Sequence, residues 1–139
     1  MRTPLLAGLL CLSIAGAAVA AGLSLKHEMK RVVEPASNAL FAVGGDVDPA
    51  NGPDAAKVTE ARWQEGLNAA RALTAAAAKL NGAQRKSEPE WTQAAGDFAR
   101  LAAAAETAAG ARDGAGFSTA ANALADTCTA CHTKYKPET

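Results

Sequence analysis

Residues 117–135 read FSTAANALADTCTACHTKY, and the apolar side chains of this stretch recur with a regular spacing. Intervals of three or four residues separate the members of the stripe, which are Phe117, Ala121, Leu124, Cys128, Cys131 and Tyr135. That repeat matches the 3.6-residue period of an α-helix, so the six side chains share one face. We therefore predict a helix over about 115–136 that ends before Pro137, with both cysteines on its buried face.

Three further helices are predicted upstream, separated by clusters of Gly, Pro and Asn. They cover about 23–43, 55–80 and 87–110. Pro35 should kink the first helix or divide it in two, and Gly44-Gly45 should end it. The third should begin with a capping box, in which the side chains of Ser87 and Glu90 bond each other's backbone amides. Four such helices joined by short links predict an all-α, antiparallel four-helix bundle.

The composition favours helix and argues against nucleic-acid binding. Alanine fills 37 of the 139 positions and only 4% of the residues are aromatic, so strands would lack their usual β-branched and aromatic side chains. The 14 basic side chains are balanced by 14 acidic ones, whereas a nucleic-acid surface needs an excess of Lys and Arg. Large apolar side chains are few. Either the Ala-rich helices pack very closely, or something other than a side chain fills the interior.

The N-terminus is predicted to be a secretory signal sequence. Arg2 precedes an apolar run that closes on the small residues Ala18-Val19-Ala20, a typical cleavage site. The run is shorter than the ~20 residues that a membrane helix needs, although an uncleaved anchor is the alternative. We therefore expect residues 1–20 to be removed, and residues 21–139 to form one exported domain that is not held in a membrane.

The one specific motif of the chain is Cys128-Thr129-Ala130-Cys131-His132, which is C-x-x-C-H, the attachment sequence of c-type haem. On a helix the two thiols lie on one side, where they can add to the two vinyl groups of a porphyrin while His132 ligates the iron. A disulfide or redox pair is the alternative, but the βαβ surroundings of a thioredoxin-like fold are missing. A structural zinc site would lack a fourth ligand.

Met29 is the candidate for the sixth ligand of the iron. It is the only methionine beyond the signal sequence, and it shares the apolar face of the first helix with Leu25 and Val32. Methionine and histidine together are a known haem ligand pair that raises the reduction potential. The alternative is that Met29 only fills space in the core. His27 lies about 200° away around the helix and is predicted to face solvent.

With C-x-x-C-H close to the end of a four-helix pattern, the chain resembles the class II c-type cytochromes, which comprise the cytochrome c′ family and its six-coordinate relatives. The residues that carry the resemblance are Trp91, Phe98, Asp113, Phe117, Leu124 and the run 128–136. The resemblance implies one covalent haem c on Cys128 and Cys131, His132 as the proximal ligand, and the first helix over the distal face.

Because the chain carries one haem motif and no other catalytic constellation, we predict electron transfer in the periplasm, with periplasmic redox proteins as partners and no enzymatic activity. Members with a methionine on the distal face are low-spin electron carriers, and Met29 aligns with that position. Other members carry a bulky apolar residue there, leave the iron five-coordinate and bind nitric oxide or carbon monoxide. Gas binding is therefore the second hypothesis. Family members are often homodimers through their first two helices, so a homodimer is a further expectation.

Overall fold

The computed structural model describes residues 25–52, 55–82 and 87–136, and every regular element within these ranges is helical. The signal sequence predicted over 1–20 lies outside them. The long helices are α1 (Glu34–Asp46), α2 (Glu60–Asn81), α3 (Pro89–Ala111) and α4 (Gly114–Tyr135). Short 3₁₀ turns link α1 to α2 at Pro49–Asn51 and Ala55–Lys57. The predicted all-helical fold is confirmed.

The four helices form a closed bundle in which α1 packs on α2, α2 on α3, α3 on α4, and α4 on α1. Ion pairs join the end of one helix to the start of another: Glu28, before α1, pairs with Lys79 near the end of α2, and Lys134 near the end of α4 pairs with Glu90 at the start of α3. Arg62 Nε lies 2.6 Å from the carboxylate of Asp46, which ties the start of α2 to the end of α1. Arg112, just beyond α3, lies 2.5 Å from Glu60 at the start of α2. Consecutive helices are therefore antiparallel.

Alanine builds much of the core. The buried apolar side chains that the structure describes include twelve alanines, namely Ala36, Ala69, Ala70, Ala76, Ala77, Ala95, Ala102, Ala105, Ala108, Ala109, Ala120 and Ala121. Phe117 is fully buried at the centre and meets Trp63 edge-on, with ring centroids 6.1 Å apart. A Cβ atom added to Gly44 would lie only 2.9 Å from that of Ala121, so α1 and α4 approach closely. In the middle of the bundle, close packing of small residues therefore compensates for the small number of large apolar side chains.

Two predicted helix ends were wrong. Gly44-Gly45 does not stop α1, which continues to Asp46 because both glycines keep a right-handed backbone and Gly44 is needed where α4 passes. The capping box at the start of α3 does not form. Glu88 is the N-cap residue and makes no side-chain cap bond, and Pro89 in the first turn has no amide that would need one.

The second helix also begins later than predicted, at Glu60 rather than near residue 55. The cause is Thr59, whose extended backbone and hydroxyl form a regular N-cap; the hydroxyl oxygen accepts a hydrogen bond of 3.2 Å from the amide of Arg62. Residues 55–57 form a 3₁₀ turn before this cap instead. In the described ranges no helix combines the length and apolarity that a bilayer span needs.

The first helix, residues 25–46, continues through Pro35 and contains a π-helical turn, Met29–Val33, directly before α1. The amide of Glu34 donates to the carbonyl of Met29, five residues back. A proline ring clashes with the carbonyl four residues before it, and the wider π turn gives that carbonyl room. The prediction that Pro35 perturbs the helix was right, but the form of the perturbation differs.

Candidate functional site

The predicted site residues lie at one end of the bundle. There the start of the first helix is tied to the end of α2 by an ion pair, with 2.7 Å between Glu28 Oε2 and Lys79 Nζ. The end of α2 is tied to the start of α3 because the indole N–H of Trp91 donates to the carbonyl oxygen of Leu80 over 3.0 Å. Trp91 also meets Tyr135 of α4 edge-on, with centroids 5.1 Å apart. We call this end, at which α4 carries its cysteines, the cysteine end.

Cys128, Cys131 and His132 lie on the last two turns of α4. Both cysteines are free thiols, half-buried and packed against the edge of the core, whereas His132 is exposed. At 100° per residue the three side chains fall within an arc of about 100°. The placement of both cysteines on the inward face of α4 agrees with the sequence pattern, although they lie at the rim rather than in the fully buried part.

The surroundings of the two thiols are apolar, and this sets their acidity. Burial raises the pKa of Cys128, and the nearby Cys131 raises it further; burial alone raises the pKa of Cys131. Neutral thiols are therefore favoured at physiological pH. Such a pair is unlike the electropositive setting that activates a redox cysteine by lowering its pKa.

Met29 lies at the same end, in the π-helical turn, and is half-buried against the core. The adjacent Glu28 is the buried residue, only 7% exposed. His27 is exposed, as predicted. Glu28 and Lys79 were not expected from the sequence, because Glu28 falls off the apolar stripe. The signal for Glu28 was Pro35, which perturbs the turn that follows it.

The core thins towards the cysteine end. Apolar side chains of the first helix and of α4 are only partly covered there; they are Leu25, Met29, Cys128, Cys131 and Tyr135. Nearer the middle, Leu40 and Leu124 on the same two helices are fully buried. The π-helical turn packs mainly on α2 rather than on α4. Among the described residues, the first and last helices therefore each carry half-buried apolar side chains at this end.

A second exposed feature is an open groove on the outer side of the first helix and α2, lined by residues such as Pro35, Ala39, Asn68 and Ala72. It lies on a different face from the cysteines. Within residues 25–52, 55–82 and 87–136, no cluster of three or more His, Cys, Asp or Glu side chains is arranged to hold a metal ion.

Comparisons with protein-family models, curated proteins and solved structures find no match to this chain. The chemistry of the residues at the cysteine end fits a covalently held haem: two thiols on one helix face could each form a thioether, the neighbouring imidazole could ligate iron, and the half-buried apolar side chains there could pack on a porphyrin.

Proposed function

We propose that the chain is an exported, mono-haem c-type cytochrome that transfers electrons in the periplasm. In this proposal Cys128 and Cys131 bind one haem c covalently and His132 ligates its iron. The observation that carries it is the placement of C-x-x-C-H: both thiols are half-buried on one helix face, beside His132, at the end where the apolar core is only partly covered. The electron is carried by the haem, and no residue has to make or break a bond of a substrate.

The other residues of the cysteine end have supporting roles in this proposal. Trp91 connects the ends of α2 and α4 through its hydrogen bond and its ring contact, and so holds the helix that carries the motif. Lys134 of α4 forms an ion pair with Glu90 of α3 and lies 5.7 Å from the centroid of the Tyr135 ring. These contacts restrict the last turn of α4, which keeps the two thiols and His132 in fixed relative positions.

The proposed partners are other periplasmic redox proteins. Lys136 and Lys134 are exposed beside His132 and could steer an acidic partner, although cations are also expected at a helix C-terminus because they compensate the helix dipole. A homodimer through the first two helices stays a prediction.

The test is expression of the full chain in a host with a c-type haem maturation system, followed by mass spectrometry of the intact protein. We expect loss of residues 1–20 and a mass increase of one haem. Cys128→Ser and Cys131→Ser should each leave only one thioether and greatly reduce the yield of haem protein. Thr129→Ala, an exposed position inside the same motif, is the matched control and should mature normally. An exported wild-type protein without haem would refute the proposal.

A second candidate function is binding of nitric oxide or carbon monoxide by a five-coordinate haem. One observation favours it: Glu28 is the buried residue of the first helix at the cysteine end, whereas Met29 lies at the rim. If Met29 does not ligate the iron, the sixth coordination position is open. Rapid carbon monoxide binding by the ferrous protein would favour this function, and a low-spin spectrum that changes on Met29→Ala would favour electron transfer with Met29 as ligand.

A further inference from the structure

The ion pair between Glu28 and Lys79 is a feature that the proposed function does not use. The Glu28 side chain is only 9% exposed, and its Oε2 atom lies 2.7 Å from Lys79 Nζ. The lysine side chain is 62% exposed, so it reaches in from solvent to neutralise a carboxylate inside the bundle. A carboxylate in such a place is costly unless it is paired. The helix must therefore have a reason to turn this residue inward.

The reason is the π-helical turn. From Val33 towards the C-terminus the buried positions of the first helix follow α-helical spacing through Ala36, Leu40 and Val43. Going back from Val33, an α-helix would place residue 29 inward, because the two are four residues apart. A π turn takes up one more residue, and the buried position becomes Glu28, five residues before Val33. The turn thus exchanges Glu28 for Met29 on the inward face.

The sequence is compatible with both registers. With an uninterrupted α-helix, the stripe Leu25, Met29, Val32 and Ala36 would be wholly apolar. With the π turn, an acidic residue occupies the inward position and needs the amine of Lys79. Pro35 makes the α register less favourable, because its ring clashes with the carbonyl four residues back. Its missing amide does not distinguish the two registers, since it donates no backbone hydrogen bond in either. The choice between the two registers then depends on the ion pair.

We propose that Glu28 and Lys79 are positioning residues for Met29: their ion pair holds the π turn and keeps Met29 at the rim of the cysteine end, and its loss lets the turn revert to α-helix with Met29 facing inward. The consequence for a haem rests on the proposed haem attachment and on the five-coordinate iron of the second candidate function, because it concerns whether the thioether can become the sixth ligand. The exchange of registers itself is a property of the polypeptide. It can be measured whether or not haem is attached.

The experiment compares the processed wild-type protein with Glu28→Gln, Lys79→Met and the matched control Glu90→Gln. The control removes the ion pair with Lys134, which lies at the same end but does not involve the first helix. In the wild type, NMR should give a contact between the α-proton of Met29 and the amide proton of Glu34, typical of the π turn. We expect Glu28→Gln and Lys79→Met to lose this contact and gain the one from Lys30 to Glu34. The control should keep it.

A charge-swapped double variant, Glu28→Lys with Lys79→Glu, should restore the wild-type contact, and it decides the matter if either single variant fails to fold. An unchanged contact pattern in both single variants, or a swapped variant that does not recover it, overturns the proposal. In haem-loaded protein the single variants should also shift the ferric optical spectrum from high-spin to low-spin. A register change without that spectral shift would show that Glu28 and Lys79 do not control whether Met29 ligates the iron. Absence of haem would refute only the proposed function, because the NMR comparison still applies to the haem-free chain.

Discussion

Replacement of Gly44 by alanine tests the close approach of α1 and α4, with the adjacent Gly45 as an internal control. The new Cβ at position 44 would lie 2.9 Å from the Cβ of Ala121, whereas a Cβ at position 45 meets nothing within 4 Å. Alanine for glycine stabilises a helix interior by up to about 1 kcal/mol. Overpacking costs about 1–3 kcal/mol, and the upper half applies because a methyl group has no rotamer by which to escape. We expect Gly44→Ala to destabilise by about 1–2 kcal/mol and Gly45→Ala to stabilise by about 0.5–1 kcal/mol.

The assay is urea unfolding of the processed protein followed by circular dichroism, with thermal unfolding as a second measurement. Each kcal/mol should move the melting temperature by roughly 3–6 °C for a domain of this size. The double variant Gly44→Ala with Ala121→Gly removes the offending methyl group and should recover most of the lost stability. If Gly44→Ala and Gly45→Ala are equally stable, the two helices are not in contact at this point, and the explanation for the continuation of α1 through both glycines is wrong.

Three other substitutions or titrations test separate parts of the structure. Asp113→Ala removes the side chain that caps α4 through a 2.9 Å bond and should destabilise the protein by about 1 kcal/mol, while Asp113→Asn should be nearly neutral in urea unfolding. Trp91→Phe leaves a buried carbonyl without its indole donor and should lower the unfolding free energy by about 1–3 kcal/mol. In haem-free protein Cys128 and Cys131 should be alkylated more slowly than an ordinary thiol, because burial raises the pKa of both. Since the unfolded thiols ionise first, stability should fall as the pH rises from the ordinary thiol pKa to the raised values, which pH-dependent urea titrations can measure.

The fold could be predicted because helix periodicity and core burial have the same physical origin. On α4 the stripe that starts at Phe117 is buried through Leu124 and half-buried at its last three members. The boundaries were less accurate. A glycine pair usually marks a helix end, but Gly44 is required by a neighbouring helix, and a single sequence contains no signal for a contact 77 residues away. The capping box fails because Pro89 occupies the first turn and because Glu90 pairs with Lys134 of α4, and only the second of these is a remote contact that the sequence does not show.

In the candidate site, too, one part could be predicted from the sequence and another part could not. The C-x-x-C-H motif lies on one helix, so helical geometry alone predicts that its thiols and imidazole share a side. The position of Met29 depends on another element, the turn before Pro35. A period of 3.6 residues assumes a uniform helix, and one π turn is enough to exchange Met29 for Glu28 as the inward residue. Lys79, which makes a buried glutamate tolerable, is 51 residues away and gives no local sign of this role.

The sequence has few large apolar side chains, which left two explanations open: close packing of the Ala-rich helices, or an interior filled by something other than a side chain. The two explanations apply to different parts of the bundle. In the middle, alanines and Gly44 let the helices approach until the core is closed, so nothing else is needed there. At the cysteine end the packing of the described residues is less complete, because Leu25 and Met29 of the first helix and Cys128 and Cys131 of α4 are only half-buried. A flat apolar group bound to Cys128 and Cys131 would cover the half-buried apolar side chains of this end. The protein should therefore gain stability on haem attachment chiefly at this end, with slower amide exchange at the start of the first helix and the end of α4 and little change around Gly44. Uniform slowing along all four helices, or none, would contradict this account.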